Sequence, residues 1–130
     1  MENIIKYFEK DKFAEHLGIE LLDAREGYAK AKMKINAYHF NSINTVHGGA
    51  IFALGDLVFS VAANTHEKTA MAINVSISYL KAATEGVLVA EVTDVTLKPK
   101  LVAYTIHITD MSNEIIAVFQ GLAYRKRVPQ

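Results

Sequence analysis

Cysteine is absent from the 130 residues, and with it go disulfide scaffolds, thiolate metal sites and cysteine nucleophiles. A reducing compartment is compatible with that composition, and the cytoplasm is the expected location. Excess charge is missing too: Lys and Arg number 14, Asp and Glu number 14. No polyanion-binding surface is indicated, so nucleic acid is not an expected partner, and the run Arg125-Lys126-Arg127 is too short to alter this. Nor is any apolar stretch long enough for a membrane span, which needs ~20 residues. The most apolar segment, residues 50–63, is shorter and contains Asp56. Residues 1–10 mix Glu2, Lys6, Glu9 and Lys10 with isolated apolar positions and lack the apolar core of a signal peptide. His16, His39, His66 and His107 show no metal-ligand spacing, so core or surface roles and no metal are expected. Repeats and linkers are likewise lacking.

What is present fits one domain, since 51% of the residues are hydrophobic in a chain of this length. Ile4, Ile5, Phe8, Phe13 and Leu17 recur at helical spacing, predicting a short amphipathic helix or helix pair over residues 1–17 that ends at Gly18. Residues 19–24 and 28–35 flank Glu26-Gly27 as a half-buried hairpin, with Ala29, Ala31, Met33 and Ile35 alternating against lysines. Residues 36–46 keep no period. From Thr69 the period is two: Ile73, Val75, Ile77 and Tyr79 form one face of a strand, and Val102, Tyr104, Ile106 and Ile108 one face of another. Residues 87–98 make a third strand whose alternation slips between Glu91 and Asp94, as at a bulge, and residues 115–124 a fourth after the Ser112-Asn113 turn. Strands joined by short turns pair antiparallel, with helix on one face and the other left to water or another chain.

Between the strand groups, residues 48 to about 65 form a helix that is apolar on nearly every side. Such a helix must be surrounded, so a curved six-stranded antiparallel sheet is expected to wrap around it, giving an α+β architecture. Its polar exceptions are ordered: Asp56, Ser60 and Asn64 follow Gly48 and Phe52 at intervals of four, on one stripe. A carboxylate in apolar surroundings costs several kcal/mol to desolvate, and burial raises its pKa toward that of a general base. A solvated or salt-bridged Asp is the bland alternative. Gly48 and Gly49 bring free N–H groups and the positive helix end, a place for an oxyanion. By itself a Gly-Gly helix start is usually tight packing, and the combination with Asp56 carries the weight. His47 reads as a helix cap or as a site residue, and its glycine neighbours favour the second. Eight residues of helix separate Gly48 from Asp56, about 12 Å, too far for both to act on one carbonyl. If both are catalytic, a symmetric dimer must share two sites.

The run Asn41-Ser-Ile-Asn-Thr-Val-His47-Gly48-Gly49-Ala-Ile-Phe-Ala-Leu-Gly-Asp56 resembles the signature of PaaI-type acyl-CoA thioesterases of the hotdog-fold (4-hydroxybenzoyl-CoA thioesterase) superfamily, and the likeness extends over residues 18–124. The resemblance implies hydrolysis of an acyl-CoA, aryl or short to medium, to free acid and CoA in homodimers that pair into tetramers. Asp56 matches the carboxylate that activates water or attacks directly, and Gly48 the N–H that polarises the carbonyl from the other subunit. His47 and Asn41 match side chains orienting thioester or water. Coenzyme A is part of the substrate and no other cofactor is implied. Ser60, Asn64 and Phe52 are the substrate-side candidates, and Lys81, Lys98 and Lys100 those for CoA phosphates. Two departures stand out. Ala72 occupies a place where related enzymes often carry a hydroxyl, leaving Ser60, Asn74 or Ser76 to compensate, and Lys98-Pro99-Lys100 replaces a glycine-rich hairpin.

Two other readings remain. A hotdog hydratase or dehydratase needs a His with a separate acid, which fits this pattern less well. A non-catalytic acyl-CoA sensor is open to the same fold, although regulators normally append a DNA-binding unit and only about seventeen residues precede the first strand here. Tyr38, Phe40, Phe52, Phe59 and Tyr79 are the aromatic residues that would line an aryl pocket or fill the core.

Overall fold

Two short helices open the chain in the computed structural model, which describes residues 2–126. The side chain of Ile5 and the whole of Arg127 lie outside the described part. Asp11 separates α1 (Glu2–Glu9) from α2 (Lys12–Leu17). Its carboxylate accepts the Ala14 N–H at 3.0 Å and so starts the second helix. Gly18 ends that helix at φ 76°, a conformation that suits glycine. Phe8 and Ala14 are buried, but Phe13 is 63% exposed, against the expectation that it packs with its helical neighbours. The helix is interrupted at residues 10–11, so the helical period does not run unbroken from α1 into α2.

The hairpin of β1 (Ile19–Arg25) and β2 (Tyr28–Lys34) comes next. Its inward residues Ala29, Ala31 and Met33 are fully buried. A turn at Ala37–His39 leads to the central helix α3 (Gly48–Ala63), then β3 (Thr69–Tyr79), β4 (Val87–Leu97), β5 (Leu101–Thr109) and β6 (Ile115–Lys126). The sheet has six strands in the order β1-β2-β4-β5-β6-β3, every neighbouring pair antiparallel. It curls around α3, which packs against all of them, as an apolar helix requires. This is the hotdog arrangement. No helix among the described residues is long and apolar enough to cross a membrane.

The slip in β4 is a register shift between Val92 and Asp94, where the alternation breaks. A second shift, between Ala72 and Asn74 of β3, corrects the regular strand expected there. The bulge turns Ile73 outward to 57% exposure, leaving Val75 and Ile77 packed against the core. His39 is buried in the connection to α3. Its Nδ1 accepts the Asn36 N–H at 3.0 Å, so its Nε2 donates to the Leu17 carbonyl, at 2.7 Å.

Where α3 meets the sheet, contact is close enough to dictate residue size. Phe59 lies 6.0 Å from Tyr104 and 5.8 Å from Phe119, ring centre to ring centre. A methyl group on Gly121 would fall 2.7 Å from the Phe59 ring, and one on Gly55 would fall 2.8 Å from Phe119. These buried rings have little room to move, so Gly121→Ala and Gly55→Ala are each expected to destabilise the fold by about 1–3 kcal/mol through overpacking. Urea unfolding checks this, and a change within experimental error would show that the rings can yield.

Candidate active site

Asn41 sets the approach to α3. Its Oδ1 accepts the N–H groups of Ile43 at 3.0 Å and Thr45 at 3.1 Å, and its Nδ2 donates to the Thr45 hydroxyl at 2.9 Å. With Asn44 held at φ 63°, the loop is a compact turn whose organiser is the Asn41 side chain. Two backbone bonds then anchor the residues leading into the helix: Val46 N–H donates to the Ala83 carbonyl at 2.9 Å and His47 N–H to the His39 carbonyl at 2.7 Å. His47 is the N-cap of α3, and its Nδ1 accepts the Gly49 N–H at 2.8 Å. Capping and site membership, posed as alternatives by the sequence, are therefore compatible, because the cap leaves the other ring nitrogen free. The Gly48 N–H has no acceptor among the described residues. It is an uncommitted donor at the positive end of a sixteen-residue helix.

Ten of the sixteen residues of α3 are buried, and those that are not include Gly48, Phe52, Asp56 and Ser60. Asn64, the C-cap, continues their row. Asp56 is half-buried and makes neither an ion pair nor a hydrogen bond among the described residues. It faces a cavity of about 290 Å³ walled by Phe13, Ile19, Phe52 and Leu57, with Asp11 and Gly49 also at its edge. Burial pushes the Asp56 carboxyl above its ordinary value, and the negative charge of Asp11 pushes it further the same way. Asp11 and Phe13 escaped the sequence reading because the helix period placed both in a cover, and nothing local indicates that α2 lies across the stripe of α3.

The other candidates separate. Phe52 lines the cavity and leans on Phe119 at 5.4 Å. Asn64 is a structural clamp, with Nδ2 donating to the Ser60 carbonyl at 2.9 Å and Oδ1 accepting the Ala70 N–H at 3.1 Å. Asn74 and Ser76 line a groove with Asp94, Thr96, Thr105 and Gln120 on the face of the sheet turned away from α3, beyond the register shift that follows Ala72. Lys81 is engaged by Asp110 at 3.5 Å and by Glu114, which makes it a paired rather than a free cation. Lys98 and Lys100 sit in the β4–β5 turn, joined by two cations from distant sequence. Lys68 Nζ donates to the Pro99 carbonyl and Arg125 Nη1 to the Lys98 carbonyl, both at 2.7 Å.

Of the five aromatic residues considered for an aryl pocket, Phe52 alone is at this cavity. Phe59 is buried core, and Tyr38 is 61% exposed on the turn before α3. Phe40 is partly buried against the core. Tyr79 lies instead on the first turn of α3, its hydroxyl donating to the Gly48 carbonyl at 2.8 Å.

Comparison with known proteins adds to this geometry. The sequence profile described as "Thioesterase superfamily" matches residues 43–117, from the Asn41 loop through the start of β6. A "Putative esterase" of Archaeoglobus fulgidus is 44% identical over 119 residues, covering 91% of this chain and 77% of that protein. The acyl-coenzyme A thioesterase PaaI of Escherichia coli is 29% identical over 125 residues, covering 95% and 89%. The solved structure of the E. coli PaaI protein from the phenylacetic acid degradation operon superposes with a TM-score of 0.89, covering 95% of this chain and 91% of that one.

An unpaired acid in this position bears on stability as well as chemistry. Because the folded-state pKa of Asp56 lies above the unfolded value near 3.8, the folded chain binds more protons in the interval between them. The stability linked to protonated Asp56 is complete below that value and is lost as pH rises through the folded pKa. At neutral pH the charged carboxylate carries the full cost. Asp56→Asn is therefore expected to raise the melting temperature at pH 7, with the gain shrinking as pH approaches 3.8. A gain that is absent at pH 7, or that grows on acidification, would contradict this assignment of the charge.

Proposed function

The chain belongs to the thioesterase superfamily and is a PaaI-like thioester hydrolase, and from that premise we propose that it hydrolyses an acyl-CoA to free acid and CoA with Asp56 as the acting carboxylate. The observation that carries this reading is an unpaired, half-buried acid facing a cavity on the open stripe of an otherwise enclosed helix. Acting as general base, Asp56 takes a proton from water as the oxygen adds to the thioester carbon. Charge develops on the carbonyl oxygen, where the Gly48 N–H donates, a contribution of about 3 kcal/mol for one well-placed donor. Collapse re-forms the carbonyl and expels the thiolate, which takes up the proton held by Asp56. In the nucleophilic alternative the carboxylate itself adds to the thioester carbon and expels the CoA thiolate, and water then cleaves the resulting anhydride to free acid and the Asp56 carboxylate, with its released proton taken up by the thiolate. His47 and the Asn41 loop hold the donor end in place.

The spacing of about 12 Å within α3 supports a homodimer in which each Asp56 works with the Gly48 of the other copy. The edge of the sheet supports it too. β3 is an outermost strand and exposes Met71, Ile73 and Tyr79, with exposed Leu80 just past its end, an edge that pairing with a second copy would close. A further surface for a dimer of dimers is the row Met71, Tyr124 and Leu101, registered across three strands and exposed.

A cavity near the small end of the ~300–1,000 Å³ range of ligand pockets suits an aryl or short to medium acyl group. Asp11 and Asp56 at its edge disfavour acyl chains ending in a carboxylate. Lys98 and Lys100, with Lys68 and Arg125 beside them, are the cations for CoA phosphates. CoA enters as substrate, no separate cofactor takes part, and we place the single domain in the cytoplasm.

Thiol release measured over aryl, short, long and dicarboxylic acyl-CoAs tests this reading. Neutral aryl or short to medium substrates are expected to turn over, and Asp56→Asn and Asp56→Ala to lower kcat/KM by about 10²–10⁴-fold with the oligomer intact. Wild-type-like turnover in both variants would remove Asp56 from the mechanism. Tight binding without hydrolysis over the whole panel would favour a binding module.

A further inference from the structure

Tyr79 does more at the start of α3 than fill space. Its hydroxyl donates to the Gly48 carbonyl at 2.8 Å, and the N–H on the same peptide unit, that of Gly49, donates to His47 Nδ1 at 2.8 Å. The three groups form one hydrogen-bond chain running through a single amide. Donation to an amide oxygen polarises the amide and makes its N–H a stronger donor. An imidazole that accepts at Nδ1 must, when neutral, carry its proton on Nε2. The ring of Tyr79 also closes one side of the turn, since a methyl on Gly48 would fall 3.1 Å from its Cζ and Oη.

We propose that Tyr79 is a positioning residue for the hydrolysis. Through the Gly48–Gly49 peptide it fixes His47 as the tautomer with the proton on Nε2, and it locks the turn that presents the Gly48 N–H. The exposed imidazole then offers an N–H donor to the thioester beside the Gly48 donor. This role rests on the thioesterase reading.

Within its own chain Tyr79 is 49% exposed, so burial in one subunit does not force its hydroxyl to bond to protein. The opposite end of α3 supplies a matched control. There the buried Tyr104 hydroxyl donates to the Ala62 carbonyl at 3.0 Å, and His66 Nε2 lies 2.8 Å from the Tyr104 hydroxyl oxygen. It has the same chemistry on the same helix, far from Gly48.

The test is Tyr79→Phe, which keeps the ring and removes one hydroxyl, compared with Tyr104→Phe. For Tyr79→Phe, kcat is expected to fall about tenfold, on the scale of one lost positioning hydrogen bond, with KM nearly unchanged. In NMR spectra the Gly49 amide proton should move upfield, and the His47 ¹⁵N shifts should change from a single Nε2–H tautomer to a mixture. Tyr104→Phe is expected to lower the melting temperature while leaving kcat and the His47 signals as in wild type. Unchanged Gly49 and His47 signals in Tyr79→Phe, or an equal loss of kcat in both variants, would overturn the proposal. The NMR arm separates the two claims. A wild-type protein without thiol release on any acyl-CoA counts against the thioesterase reading, whereas the chain through His47 is judged by its own signals.

Discussion

Enclosure of α3 is the constraint on which the rest of the molecule depends. Ile51, Leu54, Leu57, Val58, Phe59 and Val61 are buried and point to several sides of one helix, and each fully buried side chain of this kind is worth about 1.5–3 kcal/mol. A flat sheet reaches only one side of a helix, so the six strands must curl around it. Gly55 and Gly121 are the places where helix and sheet come too close for a side chain. Enclosure stops along one stripe, and that stripe carries Gly48, Phe52, Asp56 and Ser60. The same geometry that builds the core therefore decides where chemistry can be placed.

That division explains how the site relates to stability. Among the described residues Asp56 has no ion pair or hydrogen bond of the kind that would normally accompany a carboxylate among apolar residues, and Asp11 makes its ionisation harder still. Such an arrangement is costly for a fold and useful for a base, since both effects move the carboxyl toward the pH at which it works. At the other end of the stripe the helix start is built the opposite way. His47, the Asn41 loop and Tyr79 satisfy several of the polar groups around it, which leaves the Gly48 N–H and His47 Nε2 without partners among the described residues. One group is kept reactive by withholding partners and the other by supplying partners to groups around it.

Much of this was legible in the sequence because it rests on period and on short-range chemistry. The hairpin over Glu26-Gly27, the α3 stripe at intervals of four and the slip near Asp94 all arise from side chains within a few residues of each other. What escaped depends on distant segments. Phe13 reads as a packed apolar residue, and only the seating of α2 beside Asp56 makes it a cavity wall. Ile73 keeps the alternation of its strand on paper, but a bulge reverses it. Asn64 shares the polar stripe with Asp56 yet joins α3 to β3, and Lys81 stands in an exposed ion pair with Asp110 and Glu114. A residue type can be read as capable of a role, but only the fold shows whether its polar atoms are already spent.

The central claim is that Asp56 and the Gly48 N–H act together only between two copies, and a mixed assembly tests it most directly. Gly48 is the first residue of α3, where proline fits a helix and removes the N–H, with the half-exposed Tyr79 ring giving way to the added Cβ, which would otherwise lie 3.1 Å from it. The residue before it, His47, has ψ 135°, which a following proline favours. Gly48→Pro and Asp56→Asn chains should each be nearly inactive alone. Co-expressed and freely assorting, they should recover about a quarter of wild-type thiol release, because half of the dimers are hybrids and each hybrid has one intact shared site. Recovery near that level is the predicted result. No recovery, with hybrid dimers confirmed by mass, would contradict a site shared across the interface.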